Sequence, residues 1–163
     1  MIDLTKQFAS LNPRYLHMIE KYGQDILQYD DFLKNKEYFQ HGKVSIYNHC
    51  IMVTCIALEI AEKSKHLINT KALCRSALLH DYFKYDWHNY AKENGIHKLH
   101  GFYHPRIAAE NAKKDFNISP LEENIIKSHM WPLGFDFPAS KEAWILLLAD
   151  KKCALKETLL MRK

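Results

Sequence analysis

A chain of 163 residues with 47% hydrophobic and 26% charged side chains has the balance of one folded domain, not of a disordered segment. Its longest apolar run, residues 143–149, falls far short of the about 20 needed to cross a bilayer, so no membrane association is expected. A net charge of +4, spread along the whole length, argues against dedicated nucleic-acid binding.

Asp3 and Lys6 stand at the start with no apolar stretch behind them, so no secretory signal is read. Asn12-Pro13 supplies a cap and a first-position proline for a helix running toward Tyr29. Ser45 can cap a long helix whose apolar stripe includes Ile46, His49, Val53, Ile56 and Ile60. Asn69 or Thr70 opens the next, with Leu73, Ala77 and His80 on one face. Over residues 82–103 the periodicity breaks down among aromatics and histidines, which predicts a loop with one short helix. Ser119-Pro120-Leu121-Glu122 is a capping box with proline in the first turn. Ser140 opens the last helix, which carries Trp144, Leu147, Asp150 and Ala154.

Two valines and four threonines leave little material for strands, and neither GxGxxG nor GxxxxGK occurs. The expected fold is an all-α single domain over residues 1–163. Cys50, Cys55, Cys74 and Cys153 show no CxxC spacing and have apolar neighbours. They read as buried thiols of a reducing compartment, the cytoplasm.

Polar residues intrude on the apolar faces. His49 lies inside the stripe of its helix, His80 and Asp81 follow Ala77, His129 extends the face of Leu121 and Ile125, and Asp150 lies between Leu147 and Ala154. An unpaired carboxylate in such a place is costly, so it is normally paired or metal-bound. Imidazole and carboxylate without thiolate suit iron, manganese, zinc or nickel better than calcium or magnesium. Taken alone, the spacing leaves two readings open: a metal site, or a set of hydrogen-bonded core side chains.

The ordered set His49, His80-Asp81 and Asp150 resembles the H…HD…D signature of the HD-domain metal-dependent phosphohydrolase superfamily. The local contexts YNHCIMV, LLHDYFKY and LLADKKCAL are similar to it as well, and the resemblance spans roughly residues 42–155, with residues 1–41 as a helical extension. His104 in HPRIAAENA and His129 in IIKSHM look like the extra ligands of the two-metal branch. HDYFKY is particularly similar to the bacterial dinucleoside tetraphosphate hydrolases; the GYP signature of a cyclic-dinucleotide subfamily is absent.

The resemblance implies two divalent transition-metal ions, iron or manganese first, with zinc, nickel and cobalt compatible. His49, His80, Asp81 and Asp150 would hold one, and Asp81 would bridge to another held by His104 and His129. It implies hydrolysis of a phosphate ester or anhydride of a small phosphorylated substrate, a nucleotide by preference, by a hydroxide that two metals activate. The alternative is a diiron oxygenase on the same fold. Were His80 and Asp81 both helical, their side chains would diverge by about 100° and serve two metals from one helix.

Lys84 completes an HDxxK pattern and would act beside Asp81 at the substrate phosphate; the competing reading is a surface ion pair with Asp86 or another acid. His100, Arg106 and Lys127 flank ligands and either approach a phosphate or form a solvated surface. Tyr82, Phe83, Tyr85, Trp87, Tyr90, Phe102, Tyr103 and Trp131 either stack on a base or pack beneath a loop. His41 and Tyr47 stand just before the first ligand as outer-sphere candidates. The first forty residues either cover the core or make the contact of a homodimer.

Overall fold

Short polar side chains set most helix starts. In the computed structural model, which describes residues 3–41, 44–85 and 100–160, Asp3 accepts the Lys6 N–H and opens a single turn, α1 (Leu4–Gln7). Asn12 accepts from Arg14 and places Pro13 at the first position of α2 (Pro13–Leu27). A turn, α3 (Asp30–Leu33), runs on into a 3₁₀ turn (Lys34–Lys36). Ser45 caps α4 (Ile46–Lys63) through the Asn48 N–H, and Asn69 caps α5 (Thr70–Leu79) through Ala72. After α6 (His100–Phe116) the reciprocal Ser119–Glu122 box starts α7 (Pro120–Lys127). Ser140 then receives the Ala143 N–H at 3.1 Å at the head of α8 (Lys141–Leu160).

The result is an all-α single domain, with two departures from the sequence reading. A short antiparallel pair, β1 (Phe39–His41) and β2 (Val44–Ser45), precedes α4 and forms a two-stranded sheet. The irregular stretch also ends earlier than periodicity suggests, because α6 already begins at His100.

Helix α4 is the central element. It packs most extensively on α5 and α8, while α5 is flanked by α2 and α7, and α6 lies on α7. One apolar cluster joins Leu16, Ile19 and Ile26 of α2 to Ile46, Cys50 and Ile51 of α4, Leu78 of α5 and Ala108 of α6. A second joins Val53 and Ala57 of α4 to Leu73 and Ala77 of α5, Ile125 of α7, and Leu146 and Ala149 of α8. The N-terminal segment therefore covers the core, with Leu4, Leu16 and Ile19 fully buried.

Helix α2 approaches α5 closely because Gly23 carries no Cβ; one added there would overlap Leu78 Cδ1. Arg75 then ties three helices together. It donates two hydrogen bonds to Asp25 of α2, at 2.6 and 2.9 Å, and lies 3.3 Å from Glu122 of α7. All four cysteines are free and buried, as expected. Among the described residues no helix is long and apolar enough to cross a membrane.

Candidate metal centre

Four histidines and two aspartates from five parts of the chain come together. His49 comes from α4, His104 from α6 and Asp150 from α8. His80 and Asp81 stand just beyond α5, and His129 just beyond α7. His49, His80, Asp81, His104 and His129 are all buried. Asp150 and His104 are the least enclosed of the six, with side chains 13% and 7% exposed.

Asp81 divides the cluster. Its Oδ2 lies 3.5 Å from His80 Nε2 and 3.9 Å from His49 Nε2. Its Oδ1 lies 3.3 Å from His104 Nε2 and 3.8 Å from His129 Nε2. Asp150 Oδ1 closes the first group, 3.1 Å from His49 Nε2 and 3.7 Å from His80 Nε2. His104 and His129 face each other at 3.0 Å between Nε2 atoms. Atoms bound at about 2.0–2.2 Å to one ion stand about 3–4 Å apart, so these spacings fit ligand sets. His49, His80 and Asp81 form one candidate group, and Asp81, His104 and His129 another.

His80 is the C-cap of α5 and keeps helical backbone angles (φ −61°, ψ −30°), with Asp81 directly after it. Helix α5 stops at Leu79, and the pair occupies the following turn. His80 Nδ1 donates to the carbonyl of Ala77 at 2.8 Å, and His129 Nδ1 repeats the contact with Ile126 at 2.7 Å. Each imidazole thus donates to a carbonyl near the end of its helix, three residues back. That bond fixes the tautomer and leaves the Nε2 lone pair directed inward. Among the described residues, His80 Nε2 is buried and makes no hydrogen bond. A lone pair left so in the interior is costly, and a divalent cation would satisfy it.

Charge follows the same division. Burial opposes ionisation of Asp81, but His80, His104 and His129 outweigh it and hold this carboxyl far below the usual range. Burial likewise opposes ionisation of Asp150, and His49 and His80 outweigh it. His49 is raised well above the ordinary imidazole value although burial works against it, through Asp150, Cys153 and Glu157. His129 goes the other way, down to about 3, through burial and then the neighbouring His104 and His80. Two anionic carboxylates among imidazoles of unequal basicity are suited to exchange protons for a cation.

Sequence reasoning missed Glu157. Its Oε1 accepts from His49 Nδ1 at 2.9 Å and from the Cys153 thiol at 3.4 Å. The spacing of Asp150, Cys153 and Glu157, three and then four residues apart on α8, was the signal available.

The remaining candidates are scattered. Lys84 has a left-handed backbone with φ 63° and is one-quarter exposed. Its ammonium sits 2.5 Å from Asp115 of α6 and 3.1 Å from Asp31 of α3. Arg106 is half-exposed and paired with Asp136 at 2.8 Å, and Lys127 bonds Glu123. Tyr82 and Phe83 are buried, Tyr85 packs on Phe83, and Phe102 faces Phe135. Trp131 packs with Phe137 and Trp144, while Tyr103 is half-exposed. Tyr47 is buried beneath Lys36, with its hydroxyl unbonded. Asp86, Trp87, Tyr90 and the side chains of His41 and His100 lie outside the described residues.

The buried His/Asp cluster of this helical domain has the spacing of groups that could hold a metal ion. The model of the HD-domain family matches residues 46–155, and the chain belongs to that family. No curated protein and no solved structure matches the chain.

Proposed function

We propose that the protein is a phosphohydrolase of the two-metal branch, acting on a phosphate ester or anhydride of a nucleotide, as the dinucleoside tetraphosphate hydrolases do. One observation carries this reading: the two oxygens of Asp81 face different pairs of imidazole nitrogens, as a carboxylate shared by two ions would. Two divalent ions held there would polarise phosphoryl oxygens and activate water. The residues of the chain supply the rest. His49, His80, Asp81 and Asp150 hold the first ion, and Asp81, His104 and His129 the second. Iron or manganese suits these ligands best, and zinc, nickel and cobalt are compatible.

Counting Asp81 and Asp150 against two divalent ions, the site carries about +2; an ionised Glu157 behind His49 brings it to about +1. An anionic substrate is still favoured. Lys84 provides the cation for the substrate phosphate, exchanging Asp31, the more exposed and more distant of its two carboxylates, for a phosphate oxygen. Arg106 and His100, on the helix of His104, are the further phosphate contacts.

Elemental analysis of chelator-free protein should return close to two transition-metal ions per chain. With Mn²⁺ added, turnover is expected on dinucleoside polyphosphates or nucleoside monophosphates ahead of generic aryl phosphates. Oxygen uptake with an organic substrate, and no hydrolysis of any of these, overturns the proposal in favour of the diiron oxygenase.

Lys84→Met tests the substrate contact separately. The ammonium is no ligand, so both ions stay, while kcat falls about a hundredfold, as when one oxyanion donor is lost. Asp115 is left buried with the Tyr82 hydroxyl alone, so stability also falls, by about 1–3 kcal/mol. Kinetics near wild type with only the melting temperature lowered would reduce Lys84 to a clamp between α3 and α6.

A further inference from the structure

We propose that Glu157 is a positioning residue for the metal ligand His49: its carboxylate accepts a hydrogen bond from the Nδ1 N–H and holds the imidazole so that Nε2 faces Asp81 and Asp150. The inference rests on the metal-site reading above and adds to it a residue beyond the family match, which ends at residue 155.

The contact is a built one. Glu157 is 4% exposed and its Oε1 is 2.9 Å from His49 Nδ1 across 108 residues of sequence. The thiol of Cys153, one turn earlier on α8, donates to the same oxygen. Glu157 Oε2 is buried and, among the described residues, makes no hydrogen bond, so the polar contacts of this carboxylate run through Oε1 to His49 and Cys153. Asp150 and Glu157 are seven residues apart, about two helical turns, and so share a face of α8. One helix therefore grips the ring at both nitrogens, Asp150 at 3.1 Å from Nε2 and Glu157 at Nδ1.

The comparison within the cluster is informative. His80 and His129 donate from Nδ1 to neutral backbone carbonyls. His49 donates to a carboxylate. An anionic acceptor makes the opposite nitrogen the better donor, and such outer partners are worth about 10- to 100-fold in metal affinity. The first ion should accordingly depend on Glu157 and the second should not. His49, Cys153 and Glu157 could alternatively hold an ion themselves, since their ligand atoms are also within reach of one another. That use would take His49 Nδ1 away from its proton, whereas the positioning role keeps it.

The test is titration of the metal-free full-length protein with Co²⁺, followed by calorimetry and by the visible absorption of the bound ion. Glu157→Gln removes the charge and Glu157→Asp keeps it but withdraws the oxygen. Both should weaken one of the two ions by about 10- to 100-fold and alter its spectrum, with the other ion little changed. Cys153→Ala should bind both ions almost as wild type does. Wild-type affinity and spectrum in both Glu157 variants would overturn the proposal. So would loss of one whole ion in Cys153→Ala and Glu157→Gln alike, which would make the pair ligands. If Glu157→Gln does not fold, the charge-retaining Glu157→Asp decides by the same readouts. Wild-type protein that takes up no Co²⁺ would remove the metal site itself, a result separate from any difference between variants.

Discussion

Asp81→Asn should abolish tight binding of both ions at once. Asn keeps the shape of the side chain but gives up the charge and one strong ligand oxygen. Each Asp81 oxygen faces its own histidine pair, at 3.5 and 3.9 Å on one side and 3.3 and 3.8 Å on the other. Losing an outer partner costs about 10- to 100-fold in affinity, and losing a direct shared ligand should exceed that at both positions. Activity at limiting metal is then expected to drop by about a thousandfold or more, the scale of removing central charge stabilisation. Calorimetric titration beside circular dichroism checks it. A folded Asp81→Asn protein that binds two ions with wild-type affinity would remove Asp81 from the centre.

His104→Ala and His129→Ala should each cost one ion and spare the other. Their Nε2 atoms converge on Asp81 Oδ1, while Oδ2, His49, His80 and Asp150 form the other group. Metal content should fall from about two ions per chain to about one, with hydrolysis lowered by about a hundredfold or more because the clamp on the phosphate is halved. His129 is buried and braces the end of α7, so its truncation should also lower stability; His104 lies nearer solvent and should cost less. Two ions retained in both variants would mean that neither histidine is a ligand.

Much of this centre was legible before any fold was known. Capping side chains at Asn12, Ser45, Asn69, Ser119 and Ser140 mark helix starts because a hydrogen bond to a backbone N–H two or three residues on is local. The polar intrusions at His49, Asp81, His129 and Asp150 stood out because each breaks an apolar stripe, which is also a local property. The order H…HD…D along the chain then pointed to the family that the match over residues 46–155 shows.

The ends of helices α5 and α7 were not legible. Helical periodicity alone would carry His80, Asp81 and His129 onward as helical residues; the helices instead close at Leu79 and Lys127, and the Nδ1 of His80 and of His129 each donates to a carbonyl three residues back. Nor could the sequence choose partners for its charges. Lys84 found Asp31 and Asp115, 53 residues before it and 31 after it, and His49 found Glu157 near the other end of the chain. Caps and stripes depend on neighbours within a turn or two, so the sequence determined the helices and the residue types that meet a metal. Which oxygen faces which nitrogen depends on how α4, α5, α6 and α8 pack, and burial makes each such pairing obligatory. The resemblance already implied that Asp81 is shared; only the tertiary structure could decide which of its oxygens faces which histidine pair and that Glu157 stands behind His49.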